Sequence, residues 1–124
     1  MAYDPRLGTV VLYGGDNANN TQTWDWTGSA WQQVGSGGPC NTSFNSMARD
    51  VGRSVVLFGG YGFCGFQNTT ELWTGTTWIQ LAEGVSPPAR AFQVMAYDPR
   101  RRQVVMFGGA TADGTKLNDT WVLH

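Results

Sequence analysis

One apolar phrase closing on two glycines occurs three times in this chain: VVLYGG from Val10, VVLFGG from Val55 and VVMFGG from Val104. The steps are 45 residues from Gly14 to Gly59 and 49 from Gly59 to Gly108. A second phrase keeps the same beat: MAYDPR at Met1 returns as MARDVG at Met47 and MAYDPR at Met95. A third, WDWTGSAW from Trp24, returns as ELWTGTTW from Glu71. Periods of about 40–50 residues belong to propeller blades or solenoid units. Each such unit buries its apolar surface only against a neighbour.

The pattern inside a unit is that of β structure. FNSMARD and AFQVMAYD are short, partly apolar segments of strand length. Asp4-Pro5-Arg6 and Asp98-Pro99-Arg100 place Asp first and Pro second in a turn, where Pro presets φ and the Asp side chain bonds the backbone ahead. The VVLYGG run then reads as a second strand, apolar on both faces and therefore covered on both. TQTWDW and TTELW read as third strands, and tight TGSA and TGTT turns lead to fourth strands, WQQV and WIQL. No window sustains a helical period. The expectation is an all-β chain of four-stranded antiparallel units, with four, four and three strands, spanning about residues 1–36, 41–83 and 89–124. The third unit reaches Trp121 and stops before its fourth strand.

The glycine pairs Gly14-Gly15, Gly59-Gly60 and Gly108-Gly109 let the backbone turn with no Cβ in the way and with φ above zero. Trp26 with Trp31, and Trp73 with Trp78, are expected to fill the space between neighbouring sheets, since each indole buries on the order of 150–250 Å². An arc of fewer than three complete units leaves two apolar faces and a strand edge uncovered.

Composition narrows the function. Eight Lys and Arg against nine Asp and Glu give a net charge of −1, which offers no basic surface for nucleic acid. No apolar run approaches the roughly 18 residues of a membrane span. The only histidine is His124, so copper or iron centres that need several imidazoles have no ligand set here. There is no G-x-S-x-G and no second histidine to serve as a base. No catalytic residue, metal ligand or cofactor is therefore expected from these residues.

The motifs together resemble the kelch repeat family of β-propellers. The apolar strand ending in Gly-Gly, the aromatic in the third strand, the Trp opening the fourth and the SPPAR lead-in carrying Arg90 are its marks. The wording is most similar to kelch domains of bacterial surface and secreted proteins, within the galactose-oxidase-like superfamily. The resemblance implies about 2.75 blades of a ring that closes with roughly four to eight. It implies as partners the remaining blades of a longer propeller, or other copies of the chain. It also implies a non-enzymatic module for protein or glycan binding or structural assembly. The alternatives are an enzyme whose catalytic residues lie in other blades, and a self-assembling ring or filament subunit.

In an up-and-down blade, the lead-in to the first strand and the loop between the second and third strands share one end. Cys40 lies in the first and Cys64 in the second of the same unit, which makes them candidates for a disulfide and for an oxidising, extracellular or cell-surface location. The loops after Gly-Gly differ between copies, so binding is expected there. The candidates are Asp16 and Asn17 in the first loop, Tyr61, Phe63 and Phe66 in the second, and Asp113 and Lys116 in the third.

Overall fold

A computed structural model describes residues 1–15, 19–40, 42–50, 52, 54–82 and 84–123. Within them the chain is all β. The strands are β1 (Ala2–Asp4), β2 (Thr9–Tyr13), β3 (Thr23–Trp26), β4 (Trp31–Gly35), β5 (Ser46–Asp50), β6 (Ser54–Phe58), β7 (Tyr61–Gly62), β8 (Gly65–Phe66), β9 (Thr70–Trp73), β10 (Trp78–Gln80), β11 (Val94–Asp98), β12 (Gln103–Phe107) and β13 (Thr120–Leu123). Every pairing is antiparallel. Sheet one is β1-β2-β3-β4, sheet two is β5-β6-β9-β10, and sheet three is β11-β12-β13. The expected four, four and three strands are present. The sequence reading missed the small hairpin β7-β8 between β6 and β9, which is too short to register as alternation.

Side-chain alternation stacks the sheets. From sheet two, Met47, Val55, Leu57 and Trp73 face sheet one and form a core with its Val11 and Tyr13. The opposite face of sheet two, with Ala48 and Val56, packs on Val104, Met95, Tyr97 and Leu123 of sheet three. Strand β6 is buried along its whole length, as an apolar run covered on two sides must be. The first strands β1, β5 and β11 of the three sheets lie side by side.

The outermost faces have no such cover among the described residues. Val94, Phe107 and Val122 of sheet three are 63%, 50% and 40% exposed, whereas Phe58, at the position of Phe107 in sheet two, is 4% exposed. On sheet one the outward side chains include Tyr3, which is exposed, and Trp26. This corrects one expectation. Trp73 and Trp78 fill an inter-sheet space, but Trp26 and Trp31 stack on each other (ring centroids 5.4 Å apart) on the outward side, and Trp31 is exposed.

The first two glycine pairs are joints between repeats. All six glycines of the three pairs have positive φ, from 61° at Gly59 to 118° at Gly15. A Cβ on Gly14 would lie 2.2 Å from the Thr42 carbonyl oxygen of the next repeat, and one on Gly59 would lie 2.7 Å from that of Arg90. The second glycine of each of these pairs donates its N–H to the same carbonyl, Gly15 to Thr42 at 3.0 Å and Gly60 to Arg90 at 2.7 Å. Any side chain at Gly14 or Gly59 would push the neighbouring repeat away.

Candidate functional site

The lead-in segments and the loops after Gly-Gly meet at one end of the stacked sheets. Ser43 pairs with Tyr61 through two backbone hydrogen bonds of 2.9 and 2.8 Å, and Ala91 pairs with Ala110 in the same way at 2.9 and 2.8 Å. These pairings carry the second loop onto its own lead-in and the third loop onto its own. The second loop is further organised by the β7-β8 hairpin, whose strands bring Tyr61 opposite Phe66 in an edge-on contact at 5.4 Å. Cys40 and Cys64 lie at disulfide distance, with Cα atoms 5.8 Å apart, and join the hairpin turn to the lead-in. Gly62 sits beneath this link. A Cβ there would fall 1.5 Å from the Cys40 carbonyl oxygen, so only glycine fits the close approach.

The hairpin presents apolar surface to solvent: Tyr61 is 41% and Phe63 67% exposed, while Phe66 is half-buried. Beside Tyr61, on the residue after Ser43, Phe44 is 56% exposed, and its ring stacks on that of Phe92, 59% exposed, at 4.4 Å. Phe92 donates its N–H to the Phe44 carbonyl at 3.1 Å, which fastens the two lead-ins together. Both phenylalanines have left-handed backbones, φ 55° and 65°. That conformation is costly for a bulky side chain, on the order of 1–3 kcal/mol, and such strain clusters at functional surfaces. Sequence reasoning missed this pair. The available signal was positional, since Phe44 and Phe92 occupy matching places in TSFNSMA and RAFQVMA.

The other predicted positions contribute less. Asp16 and Asn17 lie outside the described residues, as does His124. Asp113 closes its own turn, accepting hydrogen bonds from the Thr111 hydroxyl and from the Thr115 N–H at 3.0 Å. These bonds, the hydroxyl foremost, hold its carboxyl at about 2. Lys116 is exposed in the third loop, paired through its backbone with Ala110. The structure thus gathers Tyr61, Phe63 and Phe66 into one hairpin beside Phe44 and Phe92, and gives Asp113 a local structural bond.

Arg90 has a role that the sequence only hinted at. It is completely buried and grips both carboxylate oxygens of Asp119, at 2.6 and 2.8 Å, while also donating to the carbonyls of Gly108 (3.0 Å) and Pro88 (3.1 Å). Trp121 adds its indole N–H to Asp119 at 2.7 Å. The guanidinium holds the Asp119 carboxyl well below the usual carboxylate range. This cluster secures the third lead-in; it presents no open position for a substrate. Among the described residues no three His, Cys, Asp or Glu side chains gather as a metal site.

The fold and this loop-bearing end define a class: an all-β protein of repeated, stacked antiparallel sheets. No family model matches the chain. It is 33% identical over 78 residues to dynein regulatory complex subunit 7 of Chlamydomonas reinhardtii, a match spanning 59% of this chain and 7% of that protein. Its fold is similar to that in the solved structure of YjhT, with a TM-score of 0.64 at 17% identity over 86% of this chain and 38% of the other. The chain thus spans well under half the length of either relative, and the likeness to YjhT speaks for the fold alone.

Proposed function

We propose that this chain is a non-catalytic, kelch-type β-propeller module that binds a protein or glycan partner through the aromatic end of its blades, in a secreted or surface protein. The observation that carries the reading is the exposed aromatic cluster of Tyr61, Phe63, Phe44 and Phe92 on a scaffold of repeated sheets. Rigid aromatic side chains lose little entropy on binding and supply large contact areas to sugar rings or to protein anchors. Blade stacking around an axis is supported by the side-by-side first strands and by the Gly-Gly joints between repeats. The paired cysteines support an oxidising location.

The test is a glycan array and a cell-surface protein pull-down with the chain and its Phe63→Ala and Phe44→Ala variants. Both side chains are more than half exposed, so thermal stability should hold within about 1 kcal/mol while a retained ligand is lost. Ligands that bind both variants as well as the parent would sink the assignment of this end.

A further inference from the structure

Sheets one and two, each with all four strands, meet at the loop-bearing end around a pocket of about 320 Å³. One side is the lead-in 37–40, and the rest is Gln67 and Thr69 before β9, Glu71 on β9, and Trp78 and Gln80 on β10. Strand alternation gathers them. Glu71 stands opposite Gln80 and Trp73 opposite Trp78, so these side chains share the face of sheet two that meets sheet one. The lead-in is held down on Tyr13 of β2. A Cβ on Gly38 would fall 2.5 Å from the Tyr13 ring, and the Tyr13 hydroxyl donates to the Pro39 carbonyl.

The hydrogen-bond donors of this lining are already engaged. The N–H groups of Gly37 and Gly38 donate to the Thr21 hydroxyl and carbonyl, each at 3.3 Å. The Gln67 amide donates to the Cys64 carbonyl at 2.9 Å, the Trp78 indole to Thr23 Oγ1 at 2.9 Å, and the Thr69 hydroxyl to the Glu71 carboxylate. What the lining keeps in reserve is mostly acceptor: the Glu71 carboxylate and the amide oxygens of Gln67 and Gln80. Glu71 is 7% exposed, and no Lys, Arg or His is among the described residues that line the pocket. A carboxylate out of water and without a cation opposes its own charge, which is why burial raises its pKa. The complementary group is a cation with several donors and no acceptor, which describes an ammonium. An anion or a carbonyl finds no donor here. A bare calcium ion, which takes six to eight oxygens, finds one carboxylate in a space of small-molecule size.

We propose that this pocket binds a small ligand through a protonated primary amine, with the ammonium against Glu71 and its N–H groups on the amide oxygens of Gln67 and Gln80. The remainder of the ligand lies toward Trp78 and the lead-in. An amino sugar and an aliphatic diamine both carry this chemistry. The pocket shares no residue with the exposed aromatic cluster of Tyr61, Phe63, Phe44 and Phe92, so the two sites fail separately.

The experiment titrates glucosamine and cadaverine into the full chain and follows amide and indole N–H signals by NMR. Glucose, N-acetylglucosamine and 1-pentanol serve as matched compounds without the charged amine. Saturable shifts at about millimolar ligand, confined to Gly37, Gly38, the Gln67 and Gln80 amides and the Trp78 indole, are the expected result. The neutral compounds should bind ~10-fold or more weakly. Glu71→Gln keeps the side-chain shape and removes the charge, and should cost the amines ~10-fold or more while leaving the weak binding of the neutral compounds unchanged. Gln80→Ala, at an exposed position and so harmless to folding, should weaken the amines several-fold. Tighter binding of glucosamine would identify the ligand class as amino sugars, and tighter binding of cadaverine as aliphatic amines. Neutral compounds that bind as well as the amines would overturn the proposal. So would amine shifts that persist undiminished in Glu71→Gln or fall elsewhere on the chain, or amines displaced by equimolar calcium.

Discussion

The second and third repeats fasten the same two segments, lead-in and loop, by different chemistry. In the second repeat the link is Cys40 to Cys64, placed at the tip of the β7-β8 hairpin, where Cys64 is exposed. In the third it is Arg90 to Asp119, with the guanidinium out of water and tied as well to two backbone carbonyls. Arg90 corresponds in the repeat to Thr42. The comparison teaches that the repeat dictates where the ends must be held and leaves the means open. A cross-link suits the longer loop, which carries exposed aromatics, while a bidentate ion pair suits a loop that closes on its own turn.

The largest expected effect comes from opening the first of these fastenings. The cysteines are 24 residues apart, and on the chain-entropy account cross-linking a loop of that length stabilises by ~3 kcal/mol. Cys40→Ser with Cys64→Ser, or reduction of the parent, should lower stability by about that amount in a denaturant titration. Amide exchange should rise first at Tyr61 to Phe66 while the third repeat stays protected. Uniform exchange across both repeats would show that the two fastenings are not independent.

Breaking the second fastening should cost nearly as much. Asp119→Ala leaves a buried guanidinium without its counter-ion, a change worth about 3–5 kcal/mol for a deeply buried pair. The Asp119 side chain is 37% exposed, and Arg90 keeps its two carbonyl acceptors, so about 2 kcal/mol is the better expectation. Arg90→Lys should fail to restore stability, because an ammonium cannot match the two-point grip. A lysine variant as stable as the parent would show that charge alone is enough there.

These two fastenings also mark what the sequence disclosed. The four-four-three strand pattern was legible because the apolar run states the same local rule three times, and the Asp-Pro turn and the Trp pair each state theirs twice. The Cys40–Cys64 pairing was legible because the two loops that share one end of a sheet follow from strand order. Contacts between non-matching positions were not. Asp119 reads as one more surface carboxylate until the fold carries it to Arg90. Phe44 and Phe92 sit in matching lead-ins, but nothing in the sequence marks the left-handed backbones and the exposed ring contact that the fold gives them.

The smallest effect is the one that best separates the two repeats, because it turns on the sign of a carboxylate's response to pH. Glu71 on β9 is buried beside Tyr13, with no cation partnering it among the described residues, and burial raises its pKa above the usual carboxylate value, against a smaller opposing pull from the Thr69 hydroxyl. A raised native pKa favours the protonated side chain in the fold. Its contribution is therefore fully present below the ordinary glutamate range and lost as pH rises through the elevated value. Asp119 behaves oppositely: its depressed pKa gives stability above the ordinary aspartate range that disappears only in strong acid. Mild acidification from neutral pH should thus firm the second repeat and leave the third unchanged. Glu71→Gln should remove the first response by raising stability slightly at neutral pH while leaving the Asp119 response intact, as measured by denaturant midpoints at several pH values. A variant less stable than the parent at neutral pH would mean that the Glu71 carboxylate is paired in the fold, and that the raised pKa has been read with the wrong sign.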